Sequence, residues 1–147
     1  MMHLRDQLTI QSLALQFLIL TAGRLGEVLN APWTEIDFNE AVWSIPAQRM
    51  KSGHLHNVPL SQAALTVLEQ AAQLQTTTLI FAGRNPKRPL SGHTLIYLTP
   101  EGTTIHGYRS SFRDWAGNET THPREVAEQA LAHKIGSAVE QAYRRSD

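Results

Sequence analysis

Residues 131–143 read LAHKIGSAVEQAY and end four residues before the C-terminus. The first half of this stretch continues a helical pattern that Gly136 stops. Ser137 then has the character of a helix N-cap, and Glu140 three residues on completes a capping box. Tyr143 is thereby predicted two turns into a short, separately started helix at the end of the chain. A terminal element stays in place only when it docks on something. A phenol on such an element is either packing or a movable nucleophile, and the rest of the chain bears on which.

A chain of 147 residues, 41% hydrophobic, predicts one domain with a proper core. Cysteine is absent, which excludes a disulfide framework and cysteine-based zinc sites and fits a reducing cytosol. The N-terminus MMHLRDQL carries an early acid and no run long enough for a membrane span or a targeting signal. A cytoplasmic location is expected. The formal net charge is zero, from 13 basic and 13 acidic residues. That balance argues against a protein that coats DNA through many cationic contacts. The cations are nevertheless clustered: Arg49, Lys51, His54 and His56; Arg84, Lys87 and Arg88; His106, Arg109 and Arg113. A basic face on a neutral protein is the expectation.

The pattern predicts mainly α structure with a small antiparallel β-sheet. Leu8 to Leu20 reads as a buried helix, and Arg24, Glu27 and Val28 share one face of a second helix that Pro32 ends. Gly23 and Gly26 weaken that helix by about 1 kcal/mol each, which suggests a close approach to the backbone. Trp33–Ile36 and Ala41–Ile45 read as strands around a turn at residues 37–40. Gln48–Leu60 reads as a hairpin turning at Ser52-Gly53, with Lys51 beside the turn. Ser61 caps a helix over QAALTVLEQAAQL. Leu79–Phe81 is a short strand or entry segment, Gly83–Pro89 a basic loop, and Thr94–Leu98 a short helix. His106–Trp115 is a helix, and Thr121 and Pro123 open another that runs to His133.

Taken singly, the polar residues in this framework have ordinary explanations. Arginine three residues before a glutamate is commonly a surface pair, a histidine near a helix end is commonly structural, and a terminal tyrosine commonly packs. A histidine metal enzyme is disfavoured: seven histidines are present, but no HExxH and no close pair with an acidic partner. No metal site and no cofactor are expected.

The order TAGRLGE, lysine hairpin, HGYR, LAH, then tyrosine ten residues later resembles the catalytic domain of the tyrosine recombinases, or phage integrases. The phrases PAQRMK, VPLS, IHGYRSSFRDWA and LAHKIGSAVEQAYRRSD are most similar to integrases of prophages and genomic islands. The resemblance runs from about residue 10 to the end. It implies catalytic roles for Arg24, Lys51, His106, Arg109, His133 and Tyr143, with Glu27 supporting Arg24. It implies DNA contacts from Arg49, His54, His56, Arg84, Lys87, Arg88 and Arg113. The implied reaction is site-specific cleavage and rejoining of double-stranded DNA at attachment sites, through a 3′-phosphotyrosyl bond and a free 5′-hydroxyl. Other recombinase protomers and accessory DNA-bending or directionality proteins are the implied partners, and no membrane is involved. A type IB topoisomerase shares this chemistry, but the phrases favour an integrase. A DNA-binding regulatory or remnant module of the same fold is the alternative.

The residue types suit the implied chemistry. Attack on a phosphodiester builds negative charge on the nonbridging oxygens, and arginine forks match phosphate geometry. Arg24 and Arg109 can stabilise that charge without a metal. A phenol of pKa about 10 needs activation, for which His106 is the candidate base. Lys51 can protonate the departing 5′ oxygen, and His133 can donate to the phosphate. The ester bond is conserved in the phosphotyrosine, so no nucleotide loop is needed, and none is present. The chain departs from the family pattern at Ala22, where glycine is common. It is expected to be a single catalytic domain over residues 1–147, without the N-terminal DNA-clamping domain and with only Arg144–Asp147 after the tyrosine. An isolated fragment or prophage remnant of this kind is expected to bind DNA weakly.

Overall fold

The computed structural model describes residues 8–132. His133, Tyr143 and the helix expected from Ser137 lie outside the described residues. Helix α1 (Ile10–Thr21) starts where the Thr9 hydroxyl accepts from the Ser12 amide at 3.1 Å. Leu13, Ala14, Leu15, Phe17 and Leu18 are all fully buried, so nearly every face of this helix meets protein. Its buried polar groups are accordingly bonded. Gln16 Nε2 donates to Ser12 Oγ at 3.2 Å and Thr21 Oγ1 to the Phe17 carbonyl at 2.8 Å. The helix closes at Ala22, which adopts the left-handed conformation at φ 51°. Glycine is the usual occupant of such a cap, and alanine bears about 1–2 kcal/mol of steric penalty there.

Arg24 does not ride within the second helix as expected. It is extended and stands at the N-cap of α2 (Leu25–Leu29), its amide donating to Glu27 Oε2 at 3.3 Å. The two glycines separate. A Cβ on Gly23 would lie 2.8 Å from Val28 Cγ2 and 3.1 Å from Thr21 Oγ1, so the close approach is real there. A Cβ on Gly26 would meet nothing within 4 Å.

Trp33–Glu35 is a 3₁₀ turn, not a strand, because the Glu35 amide bonds back to the Pro32 carbonyl at 3.1 Å. Three antiparallel strands follow in the order β1-β2-β3: β1 (Ile36–Asp37), β2 (Val42–Ile45) and β3 (His56–Pro59). Trp43 pairs with Val58 and Ser44 with Asn57. The alternation sends Trp43, Ile45 and Val58 into the core. The hairpin expected over residues 48–60 is therefore a long connection: β3 pairs with β2, and Ala47–Arg49 is a 3₁₀ turn. The predicted turn is present within it. The Gly53 amide donates to the Met50 carbonyl at 3.0 Å, with Gly53 at φ 73°.

Helix α3 (Gln62–Leu74) begins as read, with Ser61 Oγ accepting from the Ala64 amide at 3.2 Å. Its buried positions Ala64, Val67, Leu68 and Ala71 keep helical spacing, and this face packs on α1. Phe17 ties the layers together, its ring 5.2 Å from Trp43 and 5.7 Å from Phe81. Leu79–Phe81 forms no strand; Ile80 bonds to the Ala31 carbonyl at 3.0 Å. Then come α4 (Gly92–Ile96), α5 (Gly107–Glu119) and α6 (Arg124–Ala130), with Pro123 at the N-cap of α6. In α5 and α6 the buried residues are Arg109, Ala116, Ala127 and Glu128. Two of these four carry charge, which is unusual for buried positions and directs attention to this side of the molecule. No described helix is long and apolar enough to cross a membrane.

Candidate active site

Arg24 leaves the end of α1 on a short extended segment, which turns its side chain toward α6. Its Nη1 lies 3.4 Å from Glu27 Oε1, and Glu27 also receives the Arg24 amide. One buried carboxylate thus contacts both the backbone amide and the guanidinium of Arg24. The Arg24 side chain keeps 26% of its surface exposed, enough to meet a ligand.

Arg109 lies one turn into α5 and is only 4% exposed. Its Nη1 donates to the Ala22 carbonyl and its Nη2 to the Leu131 carbonyl. Burial pulls its guanidinium below the ordinary arginine value, the Arg24 charge adds to that effect, and Glu27 opposes it. Arginine still holds its proton at neutral pH. Two cations from distant parts of the chain are therefore close enough to sense each other, with one acid beside them.

Lys51 joins them from the β2–β3 connection. Arg24, Lys51, Ser52, Arg113, Arg124, Glu128 and Ala132 line a cavity of about 450 Å³. Four cations and one carboxylate border this space, a lining whose net positive charge favours an anion. Ala132, the last described residue, borders it. A second hollow, of about 590 Å³, has Arg24, Glu27, Arg49 and Lys51 in its wall.

The remaining predicted residues distribute unevenly. His106 is the N-cap of α5, exposed, one turn before Arg109, and does not line the cavity. Arg113 does line it. His54 is exposed in the β2–β3 connection, while His56 on β3 borders a separate hollow with Phe112 and Val126. Arg84, Lys87 and Arg88 are exposed on the 83–89 loop, which the Gly83 amide closes on the Arg88 carbonyl at 2.7 Å. Arg49 departs from the expectation of an open surface cation. Its Nε and Nη2 donate to Glu35 Oε1 and Oε2 at 2.6 and 2.7 Å, and Nη2 also reaches the Glu27 carbonyl at 3.2 Å.

Arg124 and Glu128 were not singled out from the sequence. Arg124 Nε lies 3.8 Å from Glu128 Oε1, and both face the cavity. Their i,i+4 spacing in HPREVAEQA is a visible signal of a helical pair, but nothing local says that the pair borders Arg24. Among the described residues no group of three or more histidines and acids is arranged to hold a metal ion.

The phage integrase family model matches residues 2–147. The chain belongs to the phage integrase family. Among its integrase relatives, prophage integrase IntA of Escherichia coli K12 is 40% identical over 136 residues, covering 88% of this chain and 33% of IntA. The integrase of Shigella phage Sf6 is 29% identical over 142 residues, covering 91% of this chain and 37% of its own. The chain thus spans about a third of the length of these curated relatives. In fold it is similar to the Tn1549 transposon integrase in complex with circular intermediate DNA. That match has a TM-score of 0.64 at 14% identity and covers 94% of this chain and 57% of the other. It is also similar to the XerH site-specific recombinase bound to difH substrate, with a TM-score of 0.61 at 14% identity, covering 92% and 46% of the two chains.

Proposed function

We propose that this integrase-family chain is a catalytic domain for site-specific recombination, integrating and excising prophage or genomic-island DNA. The observation that supports the reading is that Arg24 and Lys51, from distant elements, line one cation-rich cavity, with the buried Arg109 close enough to Arg24 for their charges to interact.

The step balances without an external energy source. The Tyr143 oxygen attacks the scissile phosphorus while the bond to the 5′ oxygen breaks, giving a 3′-phosphotyrosyl ester. His106 takes the phenolic proton, and the Lys51 ammonium delivers one to the departing 5′ oxygen. Arg24, oriented by Glu27, holds the nonbridging oxygens, and Arg109 adds a fixed positive charge beneath it. His133 donates to the same phosphate. Rejoining is the reverse, with the 5′-hydroxyl as nucleophile. No metal or cofactor enters.

Arg113 and Arg124 extend the cationic lining and would reach neighbouring phosphates, while Arg84, Lys87, Arg88, His54 and His56 are candidates for flanking contacts. Double-stranded attachment-site DNA and other protomers on it are the partners this reading requires. DNA-bending or directionality proteins are compatible with it, as is action in the bacterial cytoplasm at the nucleoid. Incubation with a nicked DNA that releases its 5′ fragment on cleavage traps the covalent complex; a protein–DNA adduct is the expected result. A protein that binds this DNA and forms no adduct is instead a non-catalytic module of the same fold.

A further inference from the structure

Arg49 is tied to protein through two of its nitrogens, while its side chain keeps 23% of its surface beside the hollow shared with Arg24 and Lys51. It makes a two-pronged pair with Glu35, whose side chain keeps 8% of its surface, and a bond to the main-chain oxygen of Glu27. Glu35 is itself held by Trp43 Nε1 at 3.0 Å, and Trp43 is fully buried in the middle strand. Glu27 is the residue whose carboxylate orients Arg24. Immediately after Arg49 comes Met50, 6% exposed and in the core, and then Lys51 in a turn closed from Gly53 to Met50. A bonded path therefore runs from the sheet through Glu35 to Arg49, and splits there toward Glu27 with Arg24 and, along the chain, toward Lys51.

We propose that the Arg49–Glu35 pair is a positioning couple for the reaction: it fixes the Lys51 backbone relative to Arg24 so that the ammonium meets the departing 5′ oxygen. A flexible four-carbon stem places its charge only as well as its Cα is placed. A planar guanidinium bonded at both edges holds that Cα, as a supporting shell holds a catalytic group. Lysine at position 49 would keep the charge and lose the fork. This inference rests on the reading of Lys51 as proton donor.

The test compares two nicked DNA substrates in single-turnover cleavage by the 147-residue chain, one with oxygen and one with sulfur at the 5′ bridging position. A thiol of pKa about 8.5 leaves as thiolate without a proton, so the sulfur substrate bypasses the donor. Arg49→Lys is expected to cleave the oxygen substrate at least ~10-fold slower, out of the roughly 10²–10⁴-fold that a general acid contributes. On the sulfur substrate it should match the unsubstituted chain. Arg49→Met combined with Glu35→Gln, which strands no buried charge, should behave alike and leave the salt dependence of DNA binding unchanged. Equal slowing on both substrates overturns the inference, as does a salt slope lowered by the ~0.9 expected for one lost phosphate contact. Lys51→Ala separates the failures. If sulfur does not rescue it, the donor reading falls and this inference with it; if sulfur rescues Lys51→Ala but not Arg49→Lys, the inference alone falls. A DNA-free arm uses ¹³C-dimethylation of the three lysines, Lys51, Lys87 and Lys134. In Arg49→Lys the added amine is assigned separately. The Lys51 resonance should move and that of Lys87 should not; an unmoved Lys51 signal overturns the inference.

Discussion

Arg109 donates from Nη1 to the carbonyl of Ala22, 87 residues earlier in the chain, while Nη2 holds the carbonyl of Leu131. Ala22 ends α1 and leads directly to Arg24; Leu131 ends α6 and leads to His133. One buried guanidinium thus joins the segment just before Arg24 to the end of α6. Its positive charge and its fork serve different ends, and lysine separates them. Arg109→Lys should lower stability by about 1–3 kcal/mol, because a buried carbonyl loses its donor. In thermal melts this corresponds to a drop of at least ~2–4 °C. Non-specific DNA affinity should hold, since the charge is kept. An unchanged melt would mean that the two carbonyls do not depend on Arg109.

The glycines flanking Arg24 give a paired prediction. Gly23→Ala forces Val28 to move, since its Cβ would stand 2.8 Å from Val28 Cγ2, and overpacking of this kind costs about 1–3 kcal/mol. Gly26→Ala meets open space inside α2 and should be neutral or stabilising by up to ~1 kcal/mol. Denaturant unfolding of the two variants checks the ordering; a Gly26 variant less stable than the Gly23 variant contradicts it.

Much of this architecture could be read locally. The Ser61 cap and the buried spacing of Ala64, Leu68 and Ala71 define α3 within one stretch, so its bounds agree with the structure. Misreadings arose where the deciding partner is distant or the geometry is subtle. Trp33–Glu35 has strand-like residues, yet the bond from Glu35 to Pro32 coils it. The Ser52-Gly53 turn was visible, but β3 chose β2 across the longer connection. Arg49 sits in a basic run, and its pairing with Glu35, 14 residues earlier, cannot be read from periodicity. Glu128 escaped notice for the same reason: its helix pattern was legible, but its place on the cavity depends on tertiary packing.

Alkaline pH should act through Tyr108. Burial raises its phenol above the usual value of about 10. The unfolded chain then ionises this group first, so its contribution is fully present below about pH 10 and is lost as pH rises through the folded value. The melting temperature of the unsubstituted chain relative to Tyr108→Phe should fall as pH rises above about 10. A constant difference contradicts the assignment.

On the proposed mechanism cleavage should be indifferent to chelation, because fixed guanidinium and ammonium charges would supply the stabilisation that a divalent ion provides in other phosphoryl-transfer sites. Adduct yield with and without excess EDTA measures this. Loss of the adduct on chelation, restored by a divalent ion, would overturn the metal-free mechanism.

The most direct measurement is mapping of the residue joined to DNA after reaction with the nicked substrate. Peptide mass spectrometry should find the nucleotide remnant on Tyr143, and Tyr143→Phe should form no adduct while still binding the same DNA. A remnant on any other side chain, or an adduct persisting in Tyr143→Phe, would contradict an active site in which the terminal phenol attacks a phosphate held by Arg24.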